Sequence, residues 1–269
     1  MKTSSLCFQL SLTLLFVSLP YLCFGTDSIH YNTYSPSTYI NIKSHQVEGP
    51  IPDLIRRIHN KIGIDYKIEL VPMKRAGIKL SEHAINAVHR VSFRKDRVKQ
   101  IYYSYPVDVV HYNVYVLKSN PLIYKNKTQL SSYTIAVQGP TNNSQVLIEM
   151  MKDISDTKIV VTLTSEQALK MLKAKRFGNK KGAVYTSGRD FLAAKKKYNF
   201  TNIRLAGIDR RNHYYIAFDK KTVKKEWVNR FNQAMFELYK NGEMQKIYSQ
   251  YTNELAATLP SSKNMFIPQ

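Results

Sequence analysis

Cysteine is almost missing from this chain. Its 269 residues hold 2, Cys7 and Cys23, and both lie in an N-terminal segment with the layout of a removable leader. The rest therefore has no disulfide staple, no cysteine nucleophile and no thiolate-held metal or iron–sulfur site. Acidic residues are scarce too, 19 against 40 Lys and Arg, for a net charge of +21. Such an excess favours anionic partners without saying which. Gly and Pro number 10 each, too few for a low-complexity or collagen-like chain. No run beyond the leader approaches the length of a membrane span. Catalytic signatures are also lacking: there is no Gly-x-Ser-x-Gly elbow, no His-Glu-x-x-His and no phosphate loop. The histidines at 30, 45, 59, 83, 89, 111 and 213 include no pair four apart that would make a metal-binding helix face. No metal or cofactor is expected.

The first 25 residues read as a secretory signal peptide. Lys2 gives a basic start, Leu10 to Leu19 an apolar run, Pro20 a breaker, and Cys23-Phe24-Gly25 small residues before a cut at Thr26. With 43% hydrophobic residues, the remainder can bury one large domain or two of about 120 residues.

Strand-like runs alternate with helix-period segments, which predicts an α/β fold. Ile51, Leu54, Ile55, Ile58 and Ile62 share one face of a helix over 52–62, with Pro52 in its first turn and Gly63 at its end. Strands are expected at 66–70, 111–117, 134–137, 158–162, 182–185 and 214–218. Helices are expected around 146–151, after Thr164 (capping box with Gln167), over Trp227 to Leu238, and at 244–251. The tail from Thr252 carries weak signals and is expected to be mobile.

Arg90, Arg94 and Arg97 follow an apolar run, where a guanidinium can grip a carboxylate with two parallel hydrogen bonds. A solvated basic helix start would look the same. Lys180-Lys181 and Lys195 to Lys197 read as solvated charge, without the interleaved aromatics of a nucleic-acid platform. Tyr34 follows a first strand and could wall a pocket or simply pack.

The order of segments resembles the periplasmic solute-binding proteins of ABC importers, in the polar amino acid-binding family. Thr33-Tyr34-Ser35-Pro36 is similar to that family's opening aromatic-Pro loop. Glu48-Gly49-Pro50-Ile51-Pro52-Asp53-Leu54 resembles its Gly-Phe-x-x-Asp-Leu segment. Pro72-Met73-Lys74-Arg75-Ala76 is similar to Pro-Trp-x-Arg, with Met73 for Trp. Ile85-Asn86-Ala87-Val88 and Val91 to Arg97 resemble Ile-Asp-Ala followed by Thr-Pro-Glu-Arg. Ser104-Tyr105-Pro106, Gln138 to Asn142, and Asn241-Gly242-Glu243-Met244 with Ile247 to Tyr251 complete seven matches in order, over about 29–251.

The resemblance implies a type II periplasmic-binding fold: two α/β lobes joined by two crossover strands that form a hinge, near 111–117 and 214–218. Lobe 1 would comprise 26–113 and 215–251, lobe 2 would comprise 114–214, and 252–269 would be a tail. It implies a receptor rather than an enzyme, holding a carboxylate-bearing solute in an interlobe cleft for an inner-membrane ABC permease. A periplasmic monomer without nucleic acid is expected. Arg97 would hold the carboxylate and Tyr34 would stack on the ligand. Ser92, Thr141 and Asn142 would complete an anion cradle, with Arg75 and Arg94 adding positive charge.

The sequence departs from the pattern in three places. Arg94 replaces the signature Thr, Asn86 replaces an Asp, and no carboxylate appears near Val184 to Ser187 until Asp190. An anion without an essential ammonium is then expected, unless Asp190 reaches the cleft, which would restore an amino acid. The alternatives are a dehydratase-like enzyme for cyclic carboxylic acids, using Asp190 or His89, and an exported basic protein that binds polyanions.

Overall fold

The computed structural model describes residues 28–34, 38–252 and 255–268. The leader, together with Ser35 and Pro36 of the opening loop, lies outside the described residues. The chain opens with β1 (Ile29–Thr33), a small hairpin of β2 (Tyr39–Ile40) and β3 (Val47–Glu48), and α1 (Pro50–Ile62). Ile51, Leu54, Ile55 and Ile58 on one face of α1 are fully buried, each contributing about 1.5–3 kcal/mol. Gly63 ends the helix at φ 67° and returns its amide to the His59 carbonyl, a left-handed cap that a Cβ would strain.

There follow β4 (Tyr66–Leu70), α2 (Met73–Ser81), β5 (Ala87–Ser92), a 3-10 turn at Lys95–Arg97, β6 (Ile101–Tyr103) and β7 (Asp108–Leu117). The second series runs β8 (Thr134–Gln138), α3 (Asn142–Met151), β9 (Lys158–Thr162), α4 (Ser165–Lys173), β10 (Gly182–Ser187) and α5 (Gly188–Tyr198). Then β11 (Ile203–Asp219) leads into α6 (Lys225–Lys240) and α7 (Glu243–Ser249).

The main sheet has the order β4-β1-β5-β11-β7-β10-β8-β9, with β6 also on β11. The trio β4-β1-β5 is parallel, and so is the trio β10-β8-β9. Between them β7 and β11 run antiparallel along almost their whole length. Each trio is thus the centre of one lobe, and the β7–β11 ribbon is the double crossing between them.

Each lobe has its own core. In lobe 1, Leu54, Ile58, Phe218, Phe231, Met235 and Met244 join α1, α6 and α7 to the sheet, while Ala76, Ile85 and Val88 pack beneath α2. In lobe 2, Tyr133, Ile135, Leu147 and Met151 fill the α3 side, and Leu169, Leu172, Phe191 and Phe200 fill the α4–α5 side. Among the described residues no helix is long and apolar enough to cross a membrane.

The structure differs from the sequence reading in four places. The strand expected at 214–218 is the end of β11, which has 17 residues; its first part carries Asp209, Arg210 and Arg211, and pairing with β7 overrides their low strand preference. α5 was not expected, because Phe191 and Ala194 alone mark its buried side among lysines. Thr164 caps α4 through the Gln167 amide, but the Gln167 side chain takes the Leu163 amide rather than the cap's own. The tail is not loose over 255–268: the Thr258 amide donates to Asp108 Oδ1 at 2.8 Å, Val109 donates to the Thr258 carbonyl, and Met265 is buried.

Candidate functional site

Parallel strands present their carboxyl ends on one side, where α/β sheets place ligands. Tyr34 follows β1, the segment Ser92 to Arg97 follows β5, Thr141 and Asn142 follow β8, and Asp190 follows β10. The two lobes meet at these ends. Asn142 Nδ2 donates to Ser92 Oγ at 3.3 Å, and Arg94 Nη1 donates to Gln145 Oε1 at 3.4 Å.

On the lobe 2 side, Gly139 starts the turn that sets up α3. A Cβ there would lie 2.7 Å from Val161 Cγ1 and 2.8 Å from Ser144 Oγ, so only glycine lets β8, β9 and the helix start approach so closely. Thr141 is the N-cap of α3, accepting from the Ser144 amide at 3.1 Å and donating to the Gln138 carbonyl. Asn142 and Asn143 open α3, where the first backbone amides have no partner within the helix and favour anions. Thr141 therefore shapes the cradle through its cap, and its hydroxyl is committed to that task.

On the lobe 1 side, Arg97 is exposed on the 3-10 turn and makes no ion pair among the described residues. Arg94 is not free: its Nε and Nη2 grip Asp96 at 3.0 and 2.8 Å. Tyr34 donates its hydroxyl to the Arg90 carbonyl, and burial raises its pKa against the pull of the Arg90 and Arg97 charges. Arg75 lies on α2 in an open groove of about 560 Å³ with Pro72, Lys74, Ile78, Lys79 and Glu82. No hydrogen bond or ion pair joins it to the other site residues among the described residues. Asp190 accepts from the Ser187 hydroxyl at 2.7 Å in the first turn of α5. It follows β10, whose last residue Ser187 pairs with Tyr112 of the hinge ribbon, and its charge also acts on Arg90 and Tyr112.

Beneath these groups is a buried charge cluster that the sequence reading missed. Arg189 grips Asp108 with two hydrogen bonds, at 2.8 and 3.1 Å. Arg90 Nε lies 3.6 Å from the same carboxylate. Asp108 is fully buried, and both arginines nearly so. Burial alone would raise the Asp108 pKa; Arg189, then Arg90 and the Thr258 amide, reverse this and hold it below the usual carboxylate range. Arg90 also lies over the Tyr214 ring, and the Tyr214 and Tyr112 hydroxyls are hydrogen-bonded to each other. Arg210 lies over Tyr112 and donates to Asn143 Oδ1 at 2.6 Å. A lone Asp inside the apolar run Val107 to Val110 was a readable sign of a buried pair; nothing in the pattern pointed to its partners.

His89 is fully buried, with neither ring nitrogen partnered among the described residues. Burial and then the Arg90 charge lower its pKa to about 3. Nor does any group of three His, Cys, Asp or Glu among the described residues suit a metal ion.

Two α/β lobes on a double crossover, with polar groups gathered at the facing strand ends, define a type II binding-protein architecture. The match to the model of bacterial extracellular solute-binding proteins, family 3, covers residues 28–254, and the chain belongs to that family. Among solved structures, an ancestral arginine-binding protein bound to arginine is 24% identical with a TM-score of 0.66, over 83% of this chain and 97% of that one. A substrate-binding protein of an amino acid ABC transporter is 19% identical with a TM-score of 0.61, over 83% and 98%. A histidine kinase sensor domain similar to periplasmic binding proteins is 18% identical with a TM-score of 0.67, over 84% and 96%. No curated protein sequence matches the chain.

Proposed function

We propose that this chain is an exported, periplasmic, monomeric receptor that captures a small carboxylate-bearing solute between its lobes and delivers it to an ABC permease. The observation that carries this reading is the meeting of Ser92 and Asn142 at 3.3 Å. It puts the corner bearing Arg97 against the start of α3, so that one carboxylate can reach a guanidinium and helix amides together. Arg97 is the residue assigned to the carboxylate, Ser92 and Asn142 to its remaining lone pairs, and Tyr34 to the ligand's flank. Lobe 1 is assigned 26–113 and 215–251, and lobe 2 is assigned 114–214. Asp190 lies near enough to act on Arg90, which favours an amino acid over an anion with no ammonium group.

A receptor fits better than an enzyme because the residues nominated for acid–base work are otherwise placed. His89 is neutral and sealed in the core, and Asp190 is tied to its helix cap. General acid–base catalysis needs a group poised near the working pH and within reach of substrate. The likeness to a sensor domain makes signalling, rather than import, the second reading of the same binding event.

The test is a thermal-shift screen of the chain against amino acids, dicarboxylates and other small anions, repeated with Arg97→Ala. Binding raises the melting temperature in a saturable, concentration-dependent way, and Arg97→Ala is expected to abolish the shift. No shift with any solute, together with salt-sensitive binding to a polyanion, would overturn the receptor reading.

A further inference from the structure

β5 does not pair cleanly with β11. Val91 faces Tyr215 and His89 faces Ile216, so Arg90 between them is the extra residue of a β-bulge. Its φ is +69°, a left-handed conformation that costs a bulky side chain energy and that glycine adopts freely. Bulges of this kind turn a side chain out of the regular alternation, and they recur beside functional sites. The bulge carries the guanidinium to the hinge ribbon, over the Tyr214 ring and towards Asp108.

That destination leaves Arg90 poorly served. Asp108 already gives both carboxylate oxygens to Arg189 and one of them again to the Thr258 amide. Arg90 receives one contact, at 3.6 Å, which is too long for a good hydrogen bond. Its Nε is closed off from solvent without an acceptor, and its guanidinium makes no hydrogen bond among the described residues. Two buried guanidiniums thus share the Asp108 carboxylate, and Arg90, on which the Asp108 and Asp190 charges both act, is the one left without hydrogen bonds to it. A buried cation without its hydrogen bonds is costly to keep. Tyr34 donates its hydroxyl to the Arg90 carbonyl, and the Arg90 and Arg97 charges both act on it.

We propose that Arg90 determines specificity by taking a second acidic group of the solute, so that the receptor selects a diacid. This rests on the carboxylate-receptor reading above. One carboxylate sits on Arg97 at the cleft mouth, and the other completes the hydrogen bonds of Arg90 at the cleft floor. The Tyr34 ring flanks the carbon chain between them. With Asp190 nearby for an ammonium, acidic amino acids and simple dicarboxylates both fall within the class.

Calorimetric titration of the chain with matched pairs tests this: L-glutamate against L-glutamine, L-aspartate against L-asparagine, and succinate against succinamate. Each pair differs only in exchanging an acid for its amide. The acid of at least one pair is expected to bind about 10- to 100-fold more tightly, the ratio a charge-assisted hydrogen bond supports. Arg90→Gln should reduce that ratio to about 2-fold or less. Arg90→Gly, which suits the bulge backbone and so guards against misfolding, should do the same. Arg97→Gln should weaken acid and amide alike. An unchanged acid-to-amide ratio in both Arg90 variants, or tighter binding of the amides once Arg90 is removed, overturns this proposal while leaving the receptor reading standing. Binding of no acid and no amide by the unmodified chain overturns both.

Discussion

Lobe 1 and lobe 2 meet at the cleft with different chemistry. Lobe 1 brings full charges on side chains, Arg90 and Arg97, carried on the bulged end of β5 and the turn after it, while Arg94 beside them is taken up by Asp96. Lobe 2 brings the dipoles of the α3 start and hydroxyl groups committed to caps, and its charged groups there are tied up, Arg210 to Asn143, Asp190 to its cap and Arg189 to Asp108. A full charge on a flexible stem tolerates small errors in placement, whereas helix amides act only within hydrogen-bond reach. In the receptor proposed above, that division has lobe 1 attract the anion and lobe 2 check its fit on closure, a hinge motion that a ligand touching both lobes stabilises. The cores differ as well. Lobe 1 buries His59 and His89, while His213, the one histidine from 114 to 214, is only partly buried.

Asp108 is where the two chemistries join, since it lies on the crossing strand and serves Arg90 from lobe 1 and Arg189 from lobe 2. Asp108→Asn removes the carboxylate that the two buried guanidiniums share. Urea unfolding is expected to lose about 3–5 kcal/mol, and a loss below about 1 kcal/mol would show the cluster to be well solvated.

The buried histidines sharpen the contrast between the cores. His59 Nδ1 faces the Ile64 carbonyl at 2.8 Å and so carries the proton, leaving Nε2 to accept from the Tyr31 hydroxyl at 2.8 Å. Burial lowers its pKa to about 4, against the pull of that carbonyl and of Asp65. The unfolded chain, with a histidine pKa of about 6.5, binds the proton first. Stability due to neutral His59 is thus fully present above about pH 6.5 and falls away as the pH drops towards 4, by about 3 kcal/mol. His59→Gln should flatten this part of the unfolding free energy against pH; an unchanged slope would move the effect elsewhere.

On the lobe 2 side the expected effect is smaller. Thr141→Ala removes the α3 cap and should cost about 1 kcal/mol in thermal or urea unfolding. It should also weaken solute binding, because the helix start it shapes would fray. Lost stability with unchanged binding would separate the cap from the cradle.

Much of the architecture was legible because hydrophobic spacing is a local signal. The stripe from Ile51 to Ile62 marks α1, and the ordered matches fall at the ends of β1, β4, β5 and β8 but not of β9 or β10. The first half of β11 was hidden, since Arg210, Arg211 and Asn212 belong to a strand only through pairing with β7. α5 was hidden by its lysines. The individual roles were the least legible part. Arg94 was expected to add free charge, but Asp96 two positions away takes it up. Arg75, expected to add charge to the cleft, lines an open groove on α2, which begins just after the carboxyl end of β4. Arg90 looked like one basic residue among three, because a bulge at φ +69° leaves no mark in a sequence where arginine stands in place of glycine.

The central claim is that one carboxylate is held by both lobes at once. Calorimetry of the tightest-binding acid from the screen, on the unmodified chain, Arg97→Ala and Asn142→Ala, tests it directly. Losses of about 100-fold are expected for Arg97→Ala and about 10-fold for Asn142→Ala, in keeping with a charged and a neutral hydrogen bond. Full affinity in Asn142→Ala alongside a loss in Arg97→Ala would place the solute on lobe 1 alone and contradict it.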